Sequence, residues 1–278
     1  MNWSKTKTIF IICFLLLNIF LASELYQRQS EELTMDSPTQ DLTQTKNQVN
    51  IDTEIPKAPE NITFIIGEQQ SFVKNDKNEL IDPLKKLQGT KDDPTQSIKA
   101  TNNGRAIEGV FEHPIDLPKQ NTNYQQIIQK FIYKGNEYTY SSTDKDGNLH
   151  FIQVFDSTPV YIKDPKGSTF LNLKVKNNQI VSYTQRYFVF TKTNKVDIIN
   201  ATGAYDNLIQ NNILSGYKRN ITFKKINLAY FNSIGNLDQN DTMVFFPTWH
   251  MQVKTEKDTH HYFVNAVSSE VQTLGNGE

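Results

Sequence analysis

The sequence predicts an α+β protein in which an N-terminal transmembrane helix precedes a mostly antiparallel β extracytoplasmic domain. Three observations lead to this class. A single long apolar run lies near the start of the chain. Several later segments alternate apolar and polar residues with turn residues between them, which is typical of half-buried strands. Two amphipathic helical stretches are each followed by such strands, at a spacing of roughly 80 residues.

The apolar run predicts a transmembrane anchor. Residues 9–22 carry no charged side chain, and Asn18 is the one strongly polar residue among them. A helix from Trp3 to Tyr26 would extend roughly 35 Å, against a hydrocarbon core of roughly 30 Å. Trp and Tyr suit the interfacial layers at the two ends. We therefore expect an anchor at residues 8–26.

A cleavable signal peptide is the alternative, because a basic start and a short apolar run are typical of both. Signal cleavage needs small residues at positions −3 and −1. A cut after Ala22 would place Phe20 at −3, and a cut after Ser23 would place Leu21 there. The sequence therefore favours an anchor that is retained.

The flanking charges predict the orientation of the anchor. Lys5 and Lys7 precede the run, whereas Glu24 and Glu31 follow it. Basic residues stay on the cytoplasmic side of a membrane. Residues 1–7 are therefore expected in the cytoplasm, and the remainder beyond the anchor outside it, as a single-pass protein of the cell membrane.

One face of the anchor is predicted to contact another helix, and it contains Leu15, Asn18, Ala22 and Leu25. Residues four apart lie on the same face of a helix. A small residue beside a polar one lets a second helix approach closely and bond the amide of Asn18. The alternative is that this amide bonds within its own helix or draws water into the bilayer.

Charge and cysteine content exclude several classes of protein. The 278 residues include 29 basic and 30 acidic side chains, so no basic footprint for nucleic acid is present. Cys13 is the only cysteine, and it lies in the apolar run. The exported part therefore cannot form an internal disulfide, and it is expected to fold by burial alone, without a metal or cofactor.

Residues 27–59 contain no aromatic side chain and are dominated by Ser, Thr, Gln, Asn, Asp and Glu. Such a segment has too little apolar surface to offset the entropy of ordering it. We predict a flexible stalk here. The globular extracytoplasmic domain is then expected at residues 60–278.

The first half of this domain, residues 60–198, begins with a strand at 61–66 and a short helix at 82–87 capped by Asp82. Residues 90–104 are polar and predict a loop, and apolar residues at helical spacing predict a helix at 123–132 that ends at Gly135. The following strands are predicted at 137–140, 149–155, 160–162, 169–175 and 180–190. Turns are predicted at 144–147 and at Asn177-Asn178.

The second half, residues 199–278, repeats the order of helix and then strands. A helix is predicted at 204–214, and strands at 221–231, 243–254, 261–267 and 271–274. Two arrangements fit this repetition. The halves form two similar lobes, or they form one continuous sheet with a helix on each half.

The histidines do not predict a metal site. His260 and His261 are adjacent, so in a strand they would point to opposite faces, and a surface turn is the expected place for them. His250 is predicted on the exposed face of a strand whose other face buries Trp249 and Met251. These positions therefore give no reason to expect bound zinc.

No catalytic motif is present, since the sequence lacks His-Glu-x-x-His, Gly-x-Ser-x-Gly and a phosphate-binding Gly-rich loop. Asp144 and Asp146 could belong to a calcium loop, but the remaining ligands are missing and a turn is the better interpretation. We therefore predict no catalytic, cofactor-binding or metal residues and no enzyme activity.

Two regions resemble a known family. The start of the chain, residues 1–11 with 14–21, resembles that of the YycI (WalI) proteins, and residues 246–253 with 262–266 are similar to the C-terminal part of that family. The resemblance implies a single-pass protein with an extracytoplasmic α+β domain and no catalytic residues. It implies action with a related partner, YycH, as a heterodimer. The implied target is the WalK (YycG) sensor histidine kinase, which controls cell-wall metabolism in Gram-positive bacteria.

The expected function is therefore that of a membrane-anchored accessory regulator of a two-component sensor kinase, acting by contact with the kinase and a YycH-like protein. The resemblance leaves open whether the kinase is activated or inhibited. A second class of function is a tethered binding module for a cell-wall peptide or glycan. A third is a surface hydrolase, which a pocket with convergent carboxylates or histidines would indicate.

Overall fold

The computed structural model describes Lys7, Phe14, Leu17, Asn18 and residues 49–273, apart from 75–78, 91–94, 118–123, 164–168, 212, 215–220, 236, 238–240 and 257. The chain divides into two units, Met1–Asn47 and Gln48–Glu278. The four described residues of the first unit are helical and exposed. Within the described residues, no helix has the length and apolar content needed to cross a bilayer. Most of the predicted anchor lies outside those residues.

Strands dominate the described part of the second unit, which also has three α-helices. In chain order the strands are β1 (Val49–Ile51), β2 (Thr63–Gln69), β3 (Gln96–Thr101), β4 (Ala106–Asp116), β5 (Tyr138–Thr143), β6 (Leu149–Phe155), β7 (Thr158–Ile162), β8 (Leu171–Lys176), β9 (Gln179–Gln185), β10 (Phe188–Lys195), β11 (Ile221–Asn232), β12 (Thr242–Lys254), β13 (Thr259–Asn265) and β14 (Val271–Thr273). The helices are α1 (Asp82–Leu87), α2 (Tyr124–Phe131) and α3 (Ala201–Gln210).

The strands of this unit form one hydrogen-bonded sheet, in the order β10-β2-β12-β11-β7-β6-β8-β9-β4-β3. Four strands branch from this path, since β1 pairs with β11, β5 with β6, β13 with β12, and β14 with β13. The pairing is antiparallel except where β11 meets β1 and β7. The predicted α+β class with a mostly antiparallel sheet is confirmed for the described residues. Of the two arrangements that fit the repeated pattern, the structure has the continuous sheet.

Two apolar cores lie against this sheet, and each includes a helix. The larger core packs α2, through Tyr124 and Ile128, against the strands of the first half and the Thr242 end of β12. The smaller core packs α3 against β11, β12 and β13, with Leu208 and Trp249 buried at its centre. Burial of these apolar surfaces is the main favourable contribution to folding.

Both predicted turns are present. β5 and β6 form an antiparallel hairpin, and Gly147 in its connection has a φ of +83°. β8 and β9 are joined through Asn177 and Asn178, whose φ angles are +51° and +61°. Two consecutive residues with positive φ match the twist of the flanking strands, and Asn tolerates that conformation better than most residues.

The predicted loop at 90–104 is wrong, because residues 96–101 form β3 and pair with β4, a strand that the sequence did not predict. The hairpin is not apparent from the sequence because one of its buried residues is polar. Gln96 is buried, and its Nε2 donates to the carbonyl oxygens of Leu87 at 3.0 Å and Phe131 at 2.9 Å. A buried polar side chain with satisfied hydrogen bonds carries no apolar signal in the sequence.

The predicted strand at 180–190 is two strands that lie far apart in the sheet. β9 pairs with β8 and β4, whereas β10 pairs with β2 at the opposite end of the strand order. The break falls at Arg186 and Tyr187, where the Arg186 amide donates to the Phe170 carbonyl at 2.7 Å. No Gly, Pro, Asn or Asp lies between Ile180 and Phe190, so no such turn residue marked the break in the sequence.

The globular unit begins earlier than predicted. β1 falls within the predicted stalk at 27–59, yet it pairs in parallel with residues 221–223 of β11. Lys224 donates to Asp52 at 2.5 Å, and Ala58 packs against the smaller core. Residues 27–48 lie outside the described residues. The pairing of β1 is made by its backbone, and its side chains are half-buried or exposed, so composition did not indicate it.

The three helices are present, α1 with the predicted bounds and α2 and α3 with shifted ends. Asp82 does not cap α1 but pairs with Lys74 at 2.6 Å, and Ile81 takes the capping position. α2 ends before the left-handed Lys134, and a Cβ on Gly135 would lie 1.8 Å from the Ile128 carbonyl oxygen. Only glycine fits this close approach. α3 begins three residues earlier than predicted because the Asn200 side chain accepts a bond from the Gly203 amide at 2.7 Å.

Candidate interaction surface

The described residues contain no group of three or more His, Cys, Asp or Glu side chains placed to hold a metal ion. The carboxylate of Asp144, which was considered for a calcium loop, accepts hydrogen bonds within its own turn. Its oxygens accept bonds from the amides of Asp146 at 2.9 Å and Asn148 at 2.8 Å, and from Nδ2 of Asn148 at 2.9 Å. His150 Nε2 lies 3.2 Å from the same carboxylate. These bonds are those of a turn, as the sequence indicated.

A polar cluster joins the end of α2 to the start of β10. The Tyr187 hydroxyl donates to Glu137 Oε2 at 2.5 Å and accepts from Lys134 Nζ at 2.9 Å. Burial, with the hydrogen bond to Glu137, raises the pKa of Tyr187 to about 12. The phenol is therefore neutral at physiological pH, and the cluster holds the helix end against the sheet.

His250 is buried, so its predicted exposure is wrong. Residues 247–251 of β12 are all buried, because both faces of the sheet are covered along this part of the strand. The ring of His250 lies 4.9 Å from that of Tyr161 and is stacked at 4.7 Å on that of Phe263. Trp249 and Met251 are buried on the other face, as predicted.

His260 and His261 lie in β13 rather than in the predicted surface turn. They point to opposite faces, and His261 faces His250 across the strand pair. Nε2 of His250 and Nδ1 of His261 are 2.8 Å apart, and the rings are stacked at 5.1 Å. Nδ1 of His250 is buried and has no hydrogen-bond partner among the described residues. The tautomer that leaves no N–H unpaired has the proton of His250 on Nε2, donated to His261.

Burial holds both imidazoles in the neutral form. Loss of hydration, with the charges of His261 and Lys225 adding to it, lowers the pKa of His250 to about 3. Burial, followed by the charges of Lys225 and His260, also lowers the pKa of His261. A cation in this aromatic surrounding would lack both water and a counter-ion. The pair is therefore a neutral structural element at physiological pH.

The Thr242 end of β12 lies in a different environment from the buried segment at 247–251. There the burial alternates, so that Met243 and Phe245 are buried while Val244 and Phe246 are exposed. The register pairs Val244 with Ile66 of β2, and Ile66 with Thr191 of β10. Three neighbouring strands therefore present the same side to solvent. We call this surface the open face and define it by six side chains: Phe64, Ile66, Glu68, Val189, Val244 and Phe246.

The open face is mostly apolar. Val189, Val244 and Phe246 expose 48%, 41% and 38% of their surfaces. Phe64 and Ile66 are half-buried, and the Phe64 and Phe246 rings meet edge to face at 5.2 Å. Contiguous exposed apolar surface marks sites of contact with other molecules more often than scattered single residues do.

The opposite side of these strands is closely packed. A Cβ on Gly67 would lie 2.8 Å from the Phe190 ring and 2.9 Å from the Phe245 ring. Those two rings meet edge to face at 5.5 Å. Because the buried side admits no additional atom at Gly67, the open face stands on a rigid support.

Of the predicted contact residues in the anchor, only Asn18 is described. It is helical and exposed, and its Nδ2 donates to the Phe14 carbonyl at 2.9 Å. This is the bond within its own helix that the sequence left as an alternative. An amide has a second N–H and a carbonyl oxygen, so the bond leaves capacity for another partner. Leu15, Ala22 and Leu25 lie outside the described residues.

No pattern in the sequence predicted the open face. Its members come from positions 64 to 246, and each segment was predicted only as a strand with unspecified neighbours. Residues 243–246 are all apolar, so no alternation of polarity indicated which side of this segment is exposed. Nothing local indicated that the exposed side chains of β2, β10 and β12 would be adjacent.

The chain matches the YycI protein family over residues 27–267. It has no significant match among curated protein sequences. Among solved structures, an uncharacterized protein from Eubacterium rectale aligns at 12% identity over 81% of this chain and 91% of that chain, with a TM-score of 0.49. YycH from Bacillus subtilis aligns at 14% identity over 80% and 57%, with a TM-score of 0.38.

The C-terminal domain of Bacillus megaterium YpeB aligns at 16% identity over 68% of this chain and 87% of that chain, with a TM-score of 0.36. TM-scores below 0.5 do not establish a shared fold for these three. The family match is of a different kind, because it extends from the predicted stalk through β13. The chain is therefore a member of the YycI family.

Proposed function

We propose that this protein is a membrane-anchored accessory regulator of a two-component sensor histidine kinase that controls cell-wall metabolism, and that it acts by contact with the kinase and a YycH-like partner. YycI proteins are regulatory accessory proteins rather than enzymes. Family membership over residues 27–267 is the observation that carries the proposal. The open face supports it, since an exposed apolar surface suits a protein that acts by binding.

The proposed regulator crosses the membrane once through residues 8–26, with residues 1–7 in the cytoplasm and the sheet domain outside the cell. The anchor face of Leu15, Asn18, Ala22 and Leu25 packs against a partner helix. A close contact at the Asn18 amide would contribute roughly 0.6 to 2 kcal/mol.

A regulator of this kind changes the equilibrium between two kinase states only by its difference in affinity for them, typically about 1 to 3 kcal/mol. A modest interface is sufficient for that range. The exported domain and the anchor can each contribute part of it, because tethering one partner raises the effective concentration of the other.

The test is co-purification of the tagged full-length chain with the kinase and the YycH-like protein from native membranes. The paired substitution Asn18→Leu with Ala22→Leu is expected to weaken association, because it removes the amide and the close approach together. The control is Leu16→Ile with Phe20→Leu, which alters the opposite side of the same helix. If the unmodified chain recovers neither the kinase nor the YycH-like protein, the proposed function is wrong.

A further inference from the structure

We propose that the open face is the docking surface for the exported domain of the YycH-like partner, an inference that rests on the proposed function. The occupant is an apolar protein surface with a basic side chain opposite Glu68. Three features of the face carry this assignment: its charge, its area and its place in the domain.

The charge of the face excludes a lipid surface. Among the described residues that β2, residues 189–191 of β10 and residues 242–246 of β12 direct to this side, Glu68 is the only charged one, between Val189 and Thr242. Surfaces that bind membranes combine apolar side chains with Lys and Arg, which are attracted to anionic lipids. A carboxylate amid apolar side chains instead fits a protein partner that offers a cation at that point.

The lysines of β10 exclude addition of a partner strand to the sheet edge. β10 ends the strand order, and Lys192 and Lys195 lie along it. Lys192 pairs with Asp156 at 2.6 Å, and Lys195 bonds the Asn61 side chain. Charged residues on an edge strand oppose pairing with another chain. The partner therefore approaches the side of the sheet rather than its edge.

A second copy docked through the same face would offer no basic side chain to Glu68, and the apolar area of the face is also small. The exposed parts of Val189, Val244 and Phe246 amount to roughly 200 Å², against roughly 800 Å² on each side of a standard interface. A face this small suits two proteins that are already held in one membrane, where tethering supplies the effective concentration. This is the situation of an exported domain whose partner is also anchored.

The open face and the first described strand lie at opposite ends of β12. The chain enters the domain at β1, beside Ile221–Phe223, and Phe223 is opposite Val253. The open face is at the Thr242 end of β12, and Val253 lies nine residues beyond Val244 in the same strand, which is roughly 30 Å at the rise of a β-strand. Strand β1, with which the described part of the domain begins, is therefore well away from the docking surface.

The test places a photo-crosslinking amino acid at Val244 of the full-length chain in native membranes. Val110 is the matched control, because it is 49% exposed on β4, far from β12 in the strand order. We expect a crosslink from position 244 to the YycH-like protein and none from position 110. A crosslink from 244 to a second copy of this chain or to lipid would overturn the inference, as would equal capture from both positions.

A second measurement uses the substitutions Val244→Lys and Glu68→Lys, with Val110→Lys as control. Each open-face change is expected to reduce recovery of the YycH-like protein about tenfold, as loss of one well-placed contact does. Val110→Lys should leave recovery unchanged. Unchanged recovery for both open-face variants places the interface elsewhere and overturns the inference, while the proposed function stands. Absence of the partner even with the unmodified chain rejects both.

Discussion

The two halves of β12 differ in what covers them, although they belong to one continuous strand. From Thr242 to Phe246 every second side chain is exposed, whereas from Pro247 to Met251 all five residues are buried. The first half has a packed side and an open side, and the second half is covered on both. One strand thus has an exposed side in its first half and a fully packed second half, and each half should respond differently to substitution.

Trp249→Ala should have the largest effect, because it removes the largest fully buried side chain from the covered half. Its indole N–H donates to the carbonyl of the half-buried Ile199 at 2.8 Å, so the change also removes this hydrogen bond. We expect a loss of about 3 to 5 kcal/mol in the free energy of unfolding, measured by urea denaturation. A loss below about 1 kcal/mol would contradict the burial described here.

Gly67→Ala tests the packed side beneath the open face. The new methyl group would meet the rings of Phe190 and Phe245 at less than 3 Å. We expect a loss of about 1 to 3 kcal/mol in the free energy of unfolding, as for overpacking elsewhere. The double variant with Phe190→Leu should recover part of this loss, and strictly additive effects would indicate that the two sites do not touch.

Lowering the pH should destabilise the domain, because the neutral His250 and His261 become protonated on unfolding. The folded pKa values of His250 and His261 lie below the unfolded value of about 6.5. Stability from the neutral pair is therefore present above pH 6.5 and is lost as the pH falls from there towards 3. His250 contributes up to about 1.4 kcal/mol per pH unit to this loss, and His261 acts in the same direction. In His250→Asn with His261→Gln, unfolding free energy should depend less on pH; an equal dependence would place these groups outside the core.

Val244→Lys should have the smallest effect on folding. The side chain is partly exposed on the open half, so a lysine there can keep its charge in water. We expect the unfolding free energy to change by less than about 0.5 kcal/mol, as at other surface positions. A much larger loss would mean that the open face is covered within the folded chain, and the contrast between the two halves of β12 would fail.

Several features of the protein were predictable from local sequence. The hairpin through Asp144–Gly147, the turn at Asn177-Asn178 and the three helices follow from turn chemistry and from apolar spacing, both of which act within a few residues. The burial of Trp249 and Met251 was predictable from the alternation of polar and apolar residues in their strand. These features depend on contacts close in sequence, so a single stretch of chain is enough to specify them.

The tertiary structure decided which strands are neighbours and which faces are covered. β2 lies between β10 and β12, which are separated from it by more than a hundred residues. Pairing between distant segments also separates β9 from β10 and brings β1 into the sheet. Alternation of apolar and polar residues indicates only that a strand has two different faces. Whether a face meets solvent, as at Val244, or a second layer, as at His250, depends on contacts that no local pattern records.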